Sequence, residues 1–327
     1  MQIPRAEEFP PAAIVTPVYN GEVYLSETME AVQAQDYPNL VHIVLDNAST
    51  DGTPEILARY ANAKVPVRVF RNAETLPLAR NWNAAVDHIP ADVKYFRILC
   101  ADDLIAPAFM TRAIELGERH ASVGVIGTYL HENDDPTIDT GWPKDREVIP
   151  GPEAMDGYFR RRWWLPSVHA VFRRTDIHRG TPFFDENLVA NDLAATLRIL
   201  TRSDLGIVHA DLAMTRLHGN SITSRVLVRE KRHFYEWLKL LEQFAPVAMG
   251  DEKARAYLTL YRRRYLRQLV KWGIEGDRDL VALHLKGLRA LNVAPTAAQF
   301  ADAALDSILM KIQARERWKG YPFLKES

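Results

Sequence analysis

Two adjacent carboxylates end one of the apolar segments of this chain. Asp102 and Asp103 follow the segment Val93–Leu99 after two small residues. Like charges side by side are unfavourable unless a cation or water relieves them. Carboxylate oxygens are the ligands that hard divalent cations prefer, and such a cation can also hold a diphosphate. The pair therefore predicts a Mn²⁺ or Mg²⁺ site that faces a diphosphate.

Two earlier apolar segments also stop at polar residues. Ala13–Val18 runs into Tyr19, and Val41–Leu45 runs into Asp46. In an open α/β sheet, parallel strands bring their carboxyl ends to one crevice, which is where ligands bind. We therefore expect these residues to lie beside the acidic pair.

Short apolar segments alternate with segments of helical spacing through the first half of the chain. We predict strands at Ile14–Val18, Val41–Leu45, Val65–Phe70, Val93–Leu99 and Val123–Tyr129, with helices at Glu22–Gln35, Pro54–Ala61, Leu78–His88 and Pro107–His120. This alternation predicts an α/β fold with a mostly parallel, doubly wound sheet. His131–Pro152 predicts a long loop that could close over a ligand. We further predict helices at Pro152–Arg162 and Asp192–Arg202, strands at His169–Arg173 and Leu205–His218, and almost wholly helical structure from Arg225 onward.

Composition excludes several classes of protein. The 327 residues carry a net charge of −1, which gives no general attraction to nucleic acid. The single cysteine, Cys100, excludes an internal disulfide framework and fits a reducing compartment. No apolar segment approaches about 18 residues, and the N-terminus lacks the apolar segment of a signal peptide. We therefore expect a cytoplasmic protein, with contact to the inner face of a membrane left open.

Several motifs occur in a characteristic order. They are Thr16-Pro17-Val18-Tyr19-Asn20, Asp46-Asn47-Ala48-Ser49-Thr50-Asp51-Gly52-Thr53, Ala79-Arg80-Asn81, Ala101-Asp102-Asp103, Phe184-Asp185-Glu186-Asn187-Leu188, Asn191-Asp192 and Arg216-Leu217-His218. Together they resemble the family 2 glycosyltransferases of the GT-A fold, over roughly the first two thirds of the chain. Cys100 stands where the family commonly has a further acid, and Asn191 stands where it often has glutamate.

The resemblance implies a GT-A domain over residues 1–222, and the helical pattern of the remaining chain predicts an α-helical region over 223–327. It implies an inverting transfer of a sugar from a nucleoside-diphosphate sugar, most often a UDP sugar, to a hydroxyl acceptor. Asp192 would be the general base, at the start of a helix whose dipole favours a carboxylate. Asp103 and His218 would hold the metal. The residues implied in nucleotide-sugar binding are Thr16, Pro17, Tyr19, Asp46, Arg80 and Asp102.

Three further residues are candidates for contact with the acceptor. Trp163 and Trp164 follow three arginines, and His169 comes shortly after them. An exposed tryptophan offers an apolar platform to the face of a sugar, whereas a buried one packs in the core. Both interpretations of the tryptophans stay open. The resemblance implies a saccharide or a lipid-linked saccharide as acceptor, in synthesis of bacterial surface polysaccharide or lipopolysaccharide.

The segment Ala254–Trp272 contains six basic residues and no acidic one. An apolar, aromatic stripe recurs along it at helical spacing. Such a helix could lie on anionic lipid and bring the site to a lipid-linked acceptor. The alternative is a helix that packs on the catalytic domain or forms a homo-oligomer, with its basic face in solvent.

Two other functions remain as alternatives. A nucleotidyltransferase also combines an α/β sheet, acids and Mg²⁺, but no glycine-rich triphosphate loop follows Ile14–Val18. A non-catalytic module that binds sugar nucleotides or glycans would not need Asp192. Dinucleotide-binding and P-loop motifs are also missing after the first strand, which argues against oxidoreductases and P-loop NTPases.

Overall fold

The computed structural model describes residues 9–174, 182–218 and 230–312. The strands within them are β1 (Ala12–Val18), β2 (Leu40–Asp46), β3 (Val67–Arg71), β4 (Tyr95–Ile98), β5 (Leu104–Ile105), β6 (Val123–Glu132), β7 (Val148–Ile149), β8 (Val171–Arg173) and β9 (Asp204–Thr215). The helices are α1 (Leu25–Gln33), α2 (Thr53–Ala58), α3 (Leu78–Asp87), α4 (Phe109–Arg119), α5 (Gly151–Phe159), α6 (Asn191–Leu200), α7 (His233–Met249), α8 (Asp251–Ile274), α9 (Arg278–Ala290) and α10 (Ala297–Ile312).

The strands form one sheet with the order β3-β2-β1-β4-β8-β6-β9-β5, and β7 pairs with β9. The pairs β3/β2, β2/β1, β1/β4 and β6/β9 are parallel, whereas β8 is antiparallel to both of its neighbours. The predicted α/β class with a mostly parallel sheet is therefore confirmed. The chain moves outward from β1 to β3 and returns to β4 on the other side of β1. The ligand crevice of such a sheet lies at this reversal, outside the carboxyl ends of the strands.

The sheet is covered on both faces. Alternate residues of β1 point to opposite sides: Ala13 and Val15 join one hydrophobic cluster, and Ala12 and Ile14 join another. The first cluster is covered by α3, α5 and α6, and the second by α4 and part of α1. Burial on both faces explains why β1 is a continuous apolar segment rather than an alternating one.

Three element boundaries differ from the prediction for identifiable reasons. The segment Val93–Leu99 is a strand only from Tyr95, since the N–H of Val93 closes a turn onto the carbonyl of Pro90. Ser167–His169 is a short 3₁₀ turn, so the strand predicted from His169 begins at Val171. The strand predicted to reach His218 ends at Thr215, because the N–H of Arg216 bonds to the carboxylate of Asp103 and not to a neighbouring strand.

The C-terminal helices share the core of the sheet. Leu238 and Phe244 of α7 and Leu269 of α8 belong to the same hydrophobic cluster as β1. The connections between these helices contain residues with positive φ at Gly250, Gly276 and Asn292. The predicted domain boundary at residues 222 and 223 lies outside the described residues, and the division into two domains stays a prediction.

The structure buries the apolar stripe of Ala254–Trp272. Tyr265, Leu269 and Trp272 of this stripe are buried, and Leu258 and Tyr261 pack against the same core. This face is therefore covered by protein, and contact of the helix with a membrane stays a prediction. Several of its basic side chains pair with acids, as Arg262 does with Glu242 and Arg263 with Asp306. Of the helices in the described ranges, none is both long enough and apolar enough to span a bilayer.

Candidate active site

The acidic pair lies at the carboxyl end of β4, where the crevice is expected. Asp103 is buried, with 4% of its surface exposed, and its Oδ1 accepts the backbone N–H of Arg216 at 3.0 Å. The Asp102 side chain is 32% exposed, and its Oδ2 lies 3.0 Å from Nε2 of His218. The two carboxylates and His218 are therefore brought together. Their assignment as metal ligands stays a prediction.

The electrostatics of the pair suit a cation. Burial, and then the neighbouring charge of Asp102, raise the pKa of Asp103 to about 7. Donor atoms of Cys100, Asp102 and Asp103 all lie within 4.8 Å of one another. Burial also raises the pKa of the Cys100 thiol, so a neutral thiol stands beside the carboxylates. Because a hard cation prefers oxygen ligands, the two carboxylates fit Mg²⁺ or Mn²⁺ and the thiol does not add to the site.

Arg216 fastens the end of β9 to the acidic pair. Its backbone N–H goes to the Asp103 carboxylate, and its Nε donates to the carbonyl of Asp102 at 3.0 Å. Its guanidinium also pairs with Glu27 on α1. These bonds end the strand at Thr215, since the N–H of Arg216 bonds to a side chain. The motif that contains Arg216 was recognised in the sequence, but this role was not predicted.

Arg97 is a second residue that the sequence analysis missed. It lies on β4 with 1% of its surface exposed, and its guanidinium stacks 4.2 Å from the ring centroid of Phe109. Its Nη1 donates to the carbonyl of His169 at 2.7 Å. Its positive charge lowers the pKa of Asp103 and partly offsets the effects that raise it. A lone arginine inside an otherwise apolar strand was the available signal.

Asp192, the predicted base, is the second residue of α6. Its Oδ2 accepts the backbone N–H of Val168 at 3.2 Å. Burial raises the pKa of Asp192 and outweighs the backbone hydrogen bonds that lower it. We expected the start of the helix to favour the charged form of Asp192. Instead, burial disfavours that form more strongly than the helix start favours it. A carboxylate with a raised pKa is better suited to accept a proton.

A series of contacts connects the predicted base with the acidic pair. Asp192 accepts the N–H of Val168, and Nε2 of the next residue, His169, lies 3.2 Å from the hydroxyl of Thr215. Thr215 precedes Arg216, whose N–H donates to Asp103. The convergence of the three carboxylates on one active site stays a prediction.

Two loops, which follow β1 and β2, line the crevice on the side of Asp46. Asp46 is buried at the end of β2, where its Oδ1 accepts the N–H of Ser49 at 2.9 Å and its other oxygen pairs with Arg71. The N–H of Asn20 donates to the Ser49 hydroxyl at 2.9 Å. Tyr19 is 52% exposed at the edge. The hydrogen bond between Asn20 and Ser49 therefore joins the two loops. Asp46 is buried under them, and Tyr19 is exposed to solvent.

Thr16 and Pro17 lie within β1. Both are buried, and the Thr16 hydroxyl lies 2.9 Å from Nε2 of the buried His42. Their burial follows from the central position of β1 in a sheet that is covered on both faces. Their role in nucleotide-sugar binding stays a prediction.

Arg80 lies in the first turn of α3 with 63% of its side chain exposed. Its Nε donates to Glu186 at 3.0 Å. The neighbouring Asn81 is buried and accepts a hydrogen bond from Asn72, which also bonds to Asn47. This motif therefore joins the loop after β2 to the segment before α6. The role of Arg80 in nucleotide binding stays a prediction.

The three acceptor candidates lie along one cleft and its edge. Trp163 and Trp164 are half-buried and line a cleft of about 440 Å³. His169 stacks on Trp164, and its Nε2 lies 3.2 Å from the Thr215 hydroxyl. Burial, and then Arg97, lower the pKa of His169 to about 3, so it is neutral at pH 7. Thr140 and Gly141, from the loop predicted to close over a ligand, also line this cleft.

Comparison with known proteins gives a consistent result. Residues 13–178 match the family model described as Glycosyl transferase family 2. A relative in Bacillus subtilis (strain 168), the glycosyltransferase TuaG named for teichuronic acid biosynthesis, is 29% identical over 147 residues. This match covers 45% of the present chain and 55% of TuaG. The chain spans between 38% and 55% of the lengths of the first three curated relatives it matches.

Two solved structures are similar in fold. One is TarS 1-349 of S. aureus in complex with UDP, with a TM-score of 0.61, 17% identity and coverage of 93% of this chain and 91% of that one. The other is the mannosyltransferase PcManGT of Pyrobaculum calidifontis in complex with GDP-Man and Mn²⁺, with a TM-score of 0.56, 19% identity and coverage of 93% and 81%. The family model covers half of the present chain, in the region that carries the strand-end motifs. The chain therefore belongs to glycosyltransferase family 2.

Proposed function

We propose that this protein is an inverting glycosyltransferase that moves a sugar from a nucleoside-diphosphate sugar to a hydroxyl group of an acceptor. The observation that carries the proposal is the placement of three carboxylates: the acidic pair at the carboxyl end of β4, where Arg216 bonds to Asp103, and Asp192 on α6, which is connected to the end of β9 through Val168 and His169. An acidic pair suits the diphosphate of a donor, and a separate, partly buried carboxylate suits a base. Neither a nucleotidyltransferase nor a non-catalytic binding module requires both an acidic pair and a separate base.

Asp192 would take the proton of the acceptor hydroxyl as that oxygen forms a bond to the anomeric carbon. The bond from this carbon to the diphosphate breaks on the opposite face, so the configuration inverts. A divalent cation held by Asp103 and Asp102 would supply positive charge to the departing diphosphate. Arg216 keeps the two carboxylates in place through its bonds to Asp103 and to the carbonyl of Asp102. Asp46 and Tyr19 would hold the nucleoside.

Both solved structures support a nucleotide-sugar donor. TarS has been solved with UDP and with UDP-GlcNAc, and PcManGT with GDP-Man and Mn²⁺. We propose a UDP sugar as the donor of the present chain, with Mn²⁺ or Mg²⁺. The acidic pair accommodates either ion, because both prefer oxygen ligands.

The acceptor would be a saccharide or a lipid-linked saccharide. The name of TuaG, which refers to teichuronic acid biosynthesis, supports a role in building a bacterial surface polysaccharide. The aromatic cleft beside His169 is the place for this acceptor, since indole rings stack on sugar faces.

The decisive experiment measures release of nucleoside diphosphate from a panel of UDP, dTDP and GDP sugars, with and without Mn²⁺. We expect slow release with one donor, and faster release when a mixture of bacterial oligosaccharides is added. A nucleotidyltransferase would instead release pyrophosphate from a nucleoside triphosphate and a sugar phosphate. A binding module would show ligand-dependent thermal stabilisation without any release.

A further inference from the structure

Arg97 is a buried arginine at an apolar position of the sheet. It lies on β4, between β1 and β8, and 1% of its surface is exposed. Tyr95 and Leu99, two residues before and after it, belong to the hydrophobic cluster that α4 covers. Because side chains alternate along a strand, Arg97 points into the same cluster, where its guanidinium lies against the ring of Phe109. A methionine would fill this space without bringing a charge into the cluster.

The charge of Arg97 has few partners. Burial lowers the pKa of Arg97 to about 10, so the guanidinium still carries its charge at pH 7. Nη1 donates to the carbonyl of His169 at 2.7 Å, whereas Nε has no hydrogen-bond partner in the described part of the chain. A buried charge that is incompletely hydrogen-bonded is unfavourable for folding. Relative to an apolar residue, Arg97 therefore destabilises the fold, and the bond to His169 is what it provides.

This bond is made where the backbone pairing of two strands ends. The last pair of the β4/β8 ladder is Arg97 with Val171. Beyond it, the chain of β4 continues to the acidic pair, and the chain that leads into β8 forms the 3₁₀ turn Ser167–His169. The guanidinium of Arg97 therefore joins the two segments at the point where the ladder stops.

The turn contacts the proposed base. The N–H of Val168 donates to Oδ2 of Asp192 at 3.2 Å, and the carbonyl of the next residue, His169, accepts the bond from Arg97. Ser167, the first residue of the turn, has a φ of 36°, in the left-handed region that is unfavourable for a residue with a side chain. A strained turn persists only where its surroundings fix it. The bond from Arg97 is therefore part of what keeps the N–H of Val168 directed at Asp192.

The same turn is connected to the acidic pair. Nε2 of His169 lies 3.2 Å from the hydroxyl of Thr215, and the residue after Thr215, Arg216, donates its N–H to Asp103. The turn therefore lies between the base and the acidic pair in this series of contacts. A shift of the turn would change the position of one relative to the other.

We infer that Arg97 is a positioning residue, which fixes the turn Ser167–His169 through the carbonyl of His169 and so sets the place of Asp192 relative to the acidic pair. The inference rests on the proposed function, in which Asp192 is the base. A misplacement of about 1 Å in an active site can lower a rate about 100-fold, so a bond that prevents such a shift has a measurable effect on transfer.

Arg97→Met tests this role, because methionine has a similar apolar volume and neither the charge nor the donor. We expect kcat for transfer, at saturating donor and acceptor, to fall about 10-fold or more, while the KM for the donor changes little. The midpoint of urea denaturation should stay at or above that of the wild type, because a buried charge is removed. Arg97→Lys keeps a charged donor for the carbonyl of His169, so it should transfer faster than Arg97→Met.

Arg173→Met is the matched control. Arg173 lies on β8, stacks on the ring of Tyr95 and donates to the carbonyl of Val123 at 2.8 Å. It pairs with Tyr95 at the opposite end of the β4/β8 ladder from the turn. This variant should lower the midpoint of urea denaturation and leave kcat of the folded protein unchanged.

A double-mutant cycle separates positioning from a general structural effect. If Arg97 acts through Asp192, Arg97→Met should have little additional effect on kcat in the Asp192→Asn background. A residue that only supports the fold would lower kcat by the same factor in both backgrounds.

Hydrogen exchange of the Val168 amide gives a readout that needs no substrate. It should be about 10-fold faster in Arg97→Met than in the wild type and unchanged in Arg97→Lys, because the turn opens more often without its bond to β4. An unchanged kcat in Arg97→Met would overturn the inference. So would equal factors in the two backgrounds, unchanged exchange at Val168, or loss of folding in both Arg97 variants. If the wild type releases no nucleoside diphosphate from any donor, the proposed function is rejected, whereas the exchange still tests the link from Arg97 to the turn.

Discussion

Glu236 on α7 accepts a hydrogen bond from the backbone N–H of Ala190 at 2.8 Å. It also accepts the N–H of Val189, at 3.1 Å, and only 2% of its surface is exposed. These N–H groups come just before α6, whose first turn carries Asp192. No side chain within α6 caps its start, and Glu236 supplies acceptors there from the C-terminal helices. The helical region therefore helps to position the proposed base.

Replacement of Glu236 by alanine should destabilise the protein and slow transfer. Glu236→Ala leaves two partly buried N–H groups without their acceptor, and a fully buried group would cost about 1–3 kcal/mol. The free energy of unfolding is measured by urea denaturation, and transfer is measured as nucleoside diphosphate release with acceptor. Glu236→Gln keeps one carbonyl oxygen as an acceptor, so it should lose less stability and less transfer activity than Glu236→Ala. Donor affinity should change little in either variant, because Glu236 contacts the start of α6, which carries Asp192, and not the acidic pair proposed to face the donor.

Glu242 provides the control for this prediction. It lies on the same helix, but its carboxylate is half-exposed and pairs with Arg262. Glu242→Ala should cost less than about 1 kcal/mol, as is usual for accessible ion pairs. Equal stability of Glu236→Ala and Glu242→Ala would contradict the positioning role.

Asp192→Asn should lower transfer about 100-fold or more while leaving donor binding unchanged, since a positioned base contributes on this scale. Transfer is followed at saturating donor, and donor affinity is followed by thermal shift. Burial raises the pKa of Asp192, so this base becomes protonated at a higher pH than an ordinary aspartate. As the pH is lowered, the transfer rate of the wild type should therefore begin to fall at a correspondingly higher pH. Asp185→Asn, an exposed neighbour in sequence, is the control. A parallel loss of donor affinity and transfer would make Asp192 structural.

The sequence was informative where local pattern fixes the fold. Buried parallel strands are continuous apolar segments, so the ends of β1, β2 and β4 could be located, and with them Asp46, Asp102 and Asp103. The sequence could not show that the hydroxyl of Thr16 contacts the buried His42. Both faces of β1 are buried, and a pattern of apolar residues does not distinguish which polar residue reaches a ligand.

Contacts between distant segments escaped sequence analysis. Glu236 meets Ala190 across 46 residues, and Arg97 meets the carbonyl of His169 across 72 residues. Most glutamates on amphipathic helices, and most arginines in strands, are exposed in proteins. The residue type of Glu236 or Arg97 alone therefore does not predict burial. Only the packing of α7 on α6 and of β4 on β8 makes these two residues buried partners of the site.

Asp103→Asn should abolish the response to metal without unfolding the protein. Burial and Asp102 already disfavour the charge of Asp103, so its removal should not weaken folding. Transfer should fall about 100-fold or more, because a cation at a departing diphosphate contributes several kcal/mol. Mn²⁺-dependent thermal shift and transfer are both measured, and EDTA followed by added Mn²⁺ serves as the control on wild type. Activity that persists in EDTA would reject the metal assignment.

The buried His42 should make folding stability depend on pH. Burial lowers its pKa from 6.5 to about 3, so between these values the unfolded chain binds a proton that the folded chain does not. The stability is fully present above pH 6.5 and is lost as the pH falls, by about 2 kcal/mol at pH 5 from this residue. His42→Gln, which can still bond to Thr16, should lose less stability between pH 7.5 and pH 5 than wild type does. Urea denaturation at the two values measures the difference, with His120→Gln at a half-exposed histidine as the control. If the two variants and the wild type lose equal stability, His42 does not stay neutral in the folded protein.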